Sequence, residues 1–570
     1  MNNSKYLKEL IAVSRGDQIA DVLIKNIRLI NTFNGEIEQT NITLYKDRIA
    51  GIGDYTQSKE EFDIDNDFVA PNFIDGHTHL ESSMLHPLGY TRAVIPKGIS
   101  TIVTDLHELA NVTGIEGIEF VLEWSDKLPM DIILEAPSCV PATDYETSGR
   151  EINENDIKEL LDYKNVIGLG EMMNFPAVIQ GNEDTLKKIL MAKDKIIDGH
   201  APELTGKELN AYISAGIRSE HESTTLQEAK EKLRKGMYIM IREGSSEKNL
   251  EALLPLVDEN TYNRCMFITD DRTCSDLLRE GGVDHIVRKA IKFGLDPIRA
   301  IQLATINPAN YFNLRERGLI APGFLANMFT FKDLNNINAN LVFYRGKLVA
   351  QNGNSIFKAP SIQNELTDTF NVKDFSKDSL KINTNKIQNG SINYPVIKII
   401  PHQIITEKII KDLQVSDGII LPDPKNDILK LIVIERHKAT GNIGKGFVKG
   451  FGLKKGALAS SIAHDSHNII CVGYTNKAIT IAVEKVRSLN GGLVVANNDH
   501  IISNLPLPIA GLLSPKPLKK VVVNFEKLEK AAHQLGDLPD DPFSILSFLG
   551  LAVIPELRLT DQGYYDLTEI

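Results

Sequence analysis

The chain has 570 residues, 42% of them hydrophobic, with 63 basic against 75 acidic side chains and a net charge of -12, a length that predicts roughly three to four domains. There is no basic block, so no nucleic-acid partner is expected, and no apolar run reaches the roughly 18 residues that span a bilayer, so no membrane partner is expected either. Met1-Asn2-Asn3-Ser4 opens no signal peptide, and Cys139, Cys265, Cys274 and Cys471 form no C-x-x-C pair, which points to a reducing cytoplasm.

Taken in chain order, residues 5–14 predict a helix within an N-terminal arm, 1–19. Strands follow at 21–24, 27–30 and 41–45, with turns at Asn34-Gly35 and Lys46-Asp47. This small β unit is too short to bury both faces, so partner strands are expected from 341–350. From 69 to 271 the pattern becomes strand, loop, helix, repeated. Eight strand-like pieces lie at 69–77, 100–105, 131–139, 166–171, 195–200, 215–221, 238–243 and 265–270, with helical periodicity clearest at 183–193, 226–235 and 283–293. Eight β/α units over roughly 250 residues are the size of a (β/α)8 barrel. The alternative is an open doubly wound sheet, but its G-x-G-x-x-G is missing, and Gly441, Gly444 and Gly446 have the wrong spacing. Residues 352–395 are polar and lack clear periodicity. Beyond them, 396–570 reads as a second α/β unit with strand runs at 430–435 and 520–524.

Most of the strand-like pieces end in a polar side chain that could bind or react: His77 and His79, Asp105, Glu171, His200, His221, Glu243 and Asp270. Active sites of (β/α)8 barrels lie at the C-terminal strand ends. In a strand His77 and His79 point one way and Thr78 the other. The set sorts into a binuclear site: His77 and His79 on one ion, His200 and His221 on the other, Glu171 bridging and Asp270 completing the first shell. Imidazole and carboxylate donors suit Zn, Mn or Fe rather than Ca or Mg. Such ions lower the pKa of a shared water from about 15.7 towards roughly 7, so hydrolysis at an electrophilic carbon is the expected reaction. Blander readings stand beside these. Asp75 is expected to close a turn before Gly76, and Asp105 with His107-Glu108 reads equally as a salt-linked loop.

Five stretches carry a family resemblance: Asp75-Gly76-His77-Thr78-His79, Pro137-Ser138-Cys139-Val140-Pro141-Ala142-Thr143, Gly168-Leu169-Gly170-Glu171-Met172-Met173-Asn174-Phe175-Pro176, Asp198-Gly199-His200-Ala201-Pro202 and Thr269-Asp270-Asp271-Arg272. They resemble the bacterial adenine deaminases of the metal-dependent amidohydrolase superfamily. The likeness continues through Ala463-His464-Asp465-Ser466-His467-Asn468 to Leu559-Thr560-Asp561. It implies an α/β fold: a β-sandwich from 1–68 plus 320–365, a (β/α)8 barrel over 69–319, a linker over 366–395 and a C-terminal α/β domain over 396–570.

The resemblance also implies hydrolysis of adenine to hypoxanthine and ammonia at a binuclear Mn or Fe site. The expected partners are the small-molecule substrate and a second copy of the chain. Glu171 stands where many superfamily members carry a carboxylated lysine. Leu106 replaces a usual proline, and Glu220 a usual aspartate. His79-Leu80-Glu81 imitates the H-x-E of cytidine-type deaminases, but no P-C-x-x-C follows. Asp270 is the expected proton carrier for a metal-activated hydroxide, with Asp105 a second carrier or substrate anchor. The run containing His464, Asp465, His467 and Asn468 is expected to close over the barrel mouth and contact the purine; a plain solvated loop is the competing reading. The other functions left open are a different cyclic amide or amidine hydrolase and a catalytically silent binding protein.

Overall fold

A computed structural model describes residues 3–566 except 364, 402 and 404. The N-terminal helix, Ser4–Ser14, is capped by Asn3, whose side chain accepts from the Tyr6 N–H, and it buries Leu10 and Val13. Strand Ala20–Ile30 pairs antiparallel with Ile37–Tyr45, which pairs in turn with Arg48–Ile52. Phe68–Pro71 brings Met328–Phe331, Leu341–Tyr344, Lys347–Gln351 and Asn354–Ser355 into the same nine-stranded sheet. The two flanks thus share one apolar layer, with Ile24, Leu29, Leu44 and Val69 packed among Ile320, Met328 and Phe343.

The single strand expected at 69–77 divides at Asn72. Its N–H donates to Asn327 O (3.1 Å) and its Nδ2 to Phe343 O (2.9 Å). Those bonds hold Phe68–Pro71 to the flank and release Phe73–Asp75 into a separate parallel sheet. There Ile196–Gly199, Val166–Met172, Asp131–Ala136, Ile99–Thr104 and Phe73–Asp75 lie side by side, all parallel. Ser219–Glu220, Tyr238–Arg242 and Cys265–Ile268 form a second parallel group. Arg218 N–H donates to Ile197 O (3.1 Å), linking the groups at one edge. Asp270–Asp271 pairs parallel with Thr78–His79 at the other. The parallel strands are therefore curled, and Ile99–Thr104 and Asp131–Ala136 are buried along their whole length, as strands covered on both faces must be. The helices Glu183–Met191, Leu226–Arg234 and Val283–Lys292 lie within the segments of helical periodicity.

The C-terminal region is a nine-stranded sheet running from Ile419–Ile420 at one edge to Ile501–Pro506 at the other. Two sequence expectations change here. The run 520–524 is not a strand but part of the helix Leu518–His533; Val521, Val522, Phe525 and Leu528 are buried at helical spacing, so the β-branched triplet misleads. The segment 366–395 is not a free linker: Val372, Leu380 and Ile382 are buried, and the strand Gly390–Ile399 begins within it. Among the described residues no helix is long and apolar enough to cross a membrane.

Candidate metal centre

Side chains meet where the first and last parallel strands end. Thr78 turns away to donate its hydroxyl to Asp270 O (3.1 Å), leaving His77 and His79 on the opposite side with ring centroids 4.7 Å apart. Asp75 does not close a turn. Its buried carboxylate accepts from the Thr269 N–H (3.0 Å) and hydroxyl (2.6 Å), joining the same two strands. Gly170 makes room for its neighbour: a Cβ there would fall 2.5 Å from the Asp105 Cβ, so only glycine lets Asp105 and Glu171 lie together.

Glu171 sits at the middle. Its Oε1 lies 3.3 Å from His79 Nε2, 3.6 Å from His107 Nδ1 and 3.8 Å from His77 Nε2. Its Oε2 lies 2.8 Å from His200 Nδ1 and 3.3 Å from His221 Nε2. Asp270 places Oδ1 3.0 Å from His79 Nε2 and 3.5 Å from His77 Nε2, while Oδ2 is held by Arg242 Nη1 at 2.7 Å. The same guanidinium grips Glu222, whose Oε1 is 3.4 Å from His221 Nε2. Asp270 has φ 56°, in the left-handed region, where a non-glycine residue is strained.

The electrostatics follow from these contacts. Burial pushes the Glu171 carboxyl up, but hydrogen bonds from His200, His221 and His79 outweigh it and hold the group well below the usual carboxylate range. Burial pushes Asp270 up as well, and the His77 and His79 imidazoles beside it, with the charge of Arg242, hold it well below the usual carboxylate range. Burial alone would lower His79 and His221; their carboxylate neighbours raise both instead. Among the described residues five donor groups form here: His77, His79 and Asp270; His77, Glu171 and His221; His79, Asp105, His107 and Glu171; His200, His221 and Glu222; and, towards the C-terminal region, His107, Glu108 and Asp465. Among the described residues, buried His77 Nε2 and His79 Nδ1 have no hydrogen-bond partner. Unpartnered ring nitrogens beside anionic oxygens fit a transition-metal centre.

The structure brings together His77, His79, Asp105, Glu171, His200, His221 and Asp270. Glu243 is elsewhere, paired with Lys289 and accepting from the Leu250 N–H. His107 and Glu222 are neighbours the sequence reading did not place in the ligand set. Their signal was position, two residues after Asp105 and one after His221.

The run from His464 to Asn468 is buried rather than a solvated loop. His464 Nδ1 lies 2.6 Å from Glu108 Oε1, and His467 pairs with the other oxygen of Glu108. Against burial, the Glu108 carboxylate holds His464 up to about 9. Asp465 Oδ1 is 3.8 Å from His107 Nε2, and its buried Oδ2 is unpartnered among the described residues. Asn468 faces the other way, donating to Thr147 O (2.9 Å) and accepting from the Arg436 N–H (3.2 Å). Between this region and the strand ends lies a cavity lined by Ser82, Ser245, Asp271, His464, Phe543 and Phe548.

Residues 68–349 match the Amidohydrolase family, and residues 403–570 the Adenine deaminase C-terminal domain. The chain is 52% identical over 562 residues to an adenine deaminase of Dehalococcoides mccartyi, covering 98% of both chains. It is 45% identical to adenine deaminase 2 of Carboxydothermus hydrogenoformans, covering 99% of this chain and 98% of that one. A crystal structure of an adenine deaminase is similar over 58% of this chain and 99% of the other, with 17% identity and a TM-score of 0.44.

Proposed function

The chain belongs to the adenine deaminase family, and from that premise we propose that its buried imidazole–carboxylate cluster hydrolyses adenine to hypoxanthine and ammonia. One observation carries the binuclear reading. The two oxygens of Glu171 address different imidazoles, Oε1 facing His79 and Oε2 facing His200 and His221. On this reading His77, His79 and Asp270 hold one ion, His200 and His221 hold the other, and Glu171 joins them. The donors suit Mn or Fe. When bound, the ions supply a nucleophilic water at neutral pH and polarise the carbon it attacks.

The chain's own residues do the rest. Arg242 fixes one oxygen of Asp270 and leaves the other facing the imidazoles. Asp270 thus takes the proton of the attacking water and returns it towards the leaving amine. Asp105, bound to His107 Nδ1 at 2.9 Å, is the second carrier or a substrate anchor. The purine is proposed to lie in the cavity below the C-terminal region, where Phe548 stacks on His464 at 4.6 Å and the Ser82 and Ser245 side chains contribute polar lining. His464, Asp465 and His467 shield it from water; Asn468 braces that run through its backbone contacts.

The architecture that serves this chemistry is a (β/α)8 barrel over 69–319, made of the two parallel groups and flanked by a β layer from 1–68 and 320–365. The C-terminal α/β unit closes its mouth. The deciding assay is ammonia release from adenine, by protein purified with manganese while iron is chelated during expression. Hypoxanthine with its ring intact is the expected product; a ring-opened product would make the protein a cyclic amidine hydrolase instead.

A further inference from the structure

Lys232 lies on the helix Leu226–Arg234 and is fully buried. A buried ammonium needs three acceptors, and it has them. Its Nζ lies 2.8 Å from Ala201 O, 2.7 Å from Glu228 Oε1 and 3.0 Å from Glu220 Oε2. Ala201 follows His200 directly, and Glu220 directly precedes His221. The carboxylates extend the clamp. Glu228 Oε1 accepts from the Glu203 N–H (2.9 Å), and Glu220 Oε1 from the Ser223 N–H (2.9 Å). One cation therefore ties the backbone just after His200 to the residue just before His221. The two rings it holds have centroids 5.2 Å apart.

We propose that Lys232 is a positioning residue that sets the separation of the His200 and His221 imidazoles, and through it the affinity of the ion they share. The inference rests on the reading that these two histidines hold one ion. Lys232 touches neither that ion nor the substrate. Metal–ligand distances tolerate only about 0.2 Å of error, so a loosened loop on either side costs binding directly. Groups that orient ligands from outside the coordination shell typically contribute about 10–100-fold in metal affinity.

The test is manganese titration of the metal-free full chain against a competing chelating indicator, with no substrate present. Lys232→Met removes the cation and leaves Glu220 and Glu228 facing each other. Glu220→Gln removes the charge of one arm of the clamp and one of its two acceptor oxygens, keeps the side-chain volume, and decides alone where Lys232→Met does not fold. Wild-type protein is expected to bind two ions. In the variants one step should weaken about 10–100-fold, the same step that His200→Ala abolishes, while the other is unchanged. Equal weakening of both steps, or of neither, with an unchanged melting temperature in Glu220→Gln, overturns the proposal. Two intact binding steps in a wild-type protein that releases no ammonia from adenine would instead count against the proposed reaction.

Discussion

Glu171 is the residue on which both imidazole sets depend, and its two oxygens are not equivalent in their neighbours. Glu171→Gln keeps the shape but removes the charge that both ions would share on the proposed reading. The expected outcome is loss of metal from purified protein, read by elemental analysis against about two ions per chain in the wild type. On the proposed reading Asp270→Asn should lower kcat on the order of 10³-fold or more with the fold intact, because it would remove a ligand and the proton carrier together. Asp105→Asn should act more mildly, with KM or the pH profile moving instead.

Most of these side chains were legible because strand ends deliver them in phase. His107 and Glu222 were not, since each follows a stronger signal and looks like an ordinary charge in a loop. Asp75 misled for the opposite reason: Asp-Gly reads as a turn, whereas its carboxylate bonds across 194 residues to Thr269, a pairing no local pattern contains. The two departures from the family pattern have local explanations. Glu220 points to Lys232 and Ser223 rather than into the cluster, and Leu106 has φ 55°, which a proline ring cannot adopt.

At the level of elements, the run from His464 to Asn468 meets the helix His107–Thr113 through Glu108. It brings side chains from 356 residues further along the chain to the edge of the cluster. His467→Ala or Asp465→Ala should weaken turnover while metal content stays at the wild-type level; a lost ion in either variant would place that residue in the coordination shell. The helices expected at 183–193 and 226–235 were legible because apolar periodicity and caps agree: Asn182 accepts from the Thr185 N–H, and Thr225 from the Glu228 N–H. The helix Leu518–His533 was misread because Val521-Val522-Val523 has strand propensity; tertiary burial of one face overrode it.

Across the whole molecule, the parallel strands are fastened to the flanking sheet at Asp131. Its Oδ1 accepts from the Tyr344 hydroxyl (2.9 Å) and Arg345 Nη2 (2.6 Å), and its Oδ2 from Arg317 Nη2 (2.9 Å). Asp131→Ala should cost about 1–3 kcal/mol of stability, seen as a lower thermal midpoint, with metal content unchanged. Metal removal acts more broadly. At a free ion concentration of about 1,000 times the dissociation constant, each site that binds only the folded chain adds about 4 kcal/mol, so chelation should lower the midpoint far more than any single flank substitution.

The bond between His464 and Glu108 spans 356 residues, and that span is also an interval of time. At about 5–20 residues per second of synthesis, Glu108 leaves the ribosome roughly 20–70 seconds before His464. Throughout that interval the strand ends that carry the imidazole–carboxylate cluster lack the His464–Asn468 run. On the proposed reading a nascent chain would take up its ions from solution through an open mouth, which the later-made His464–Asn468 run would then cover.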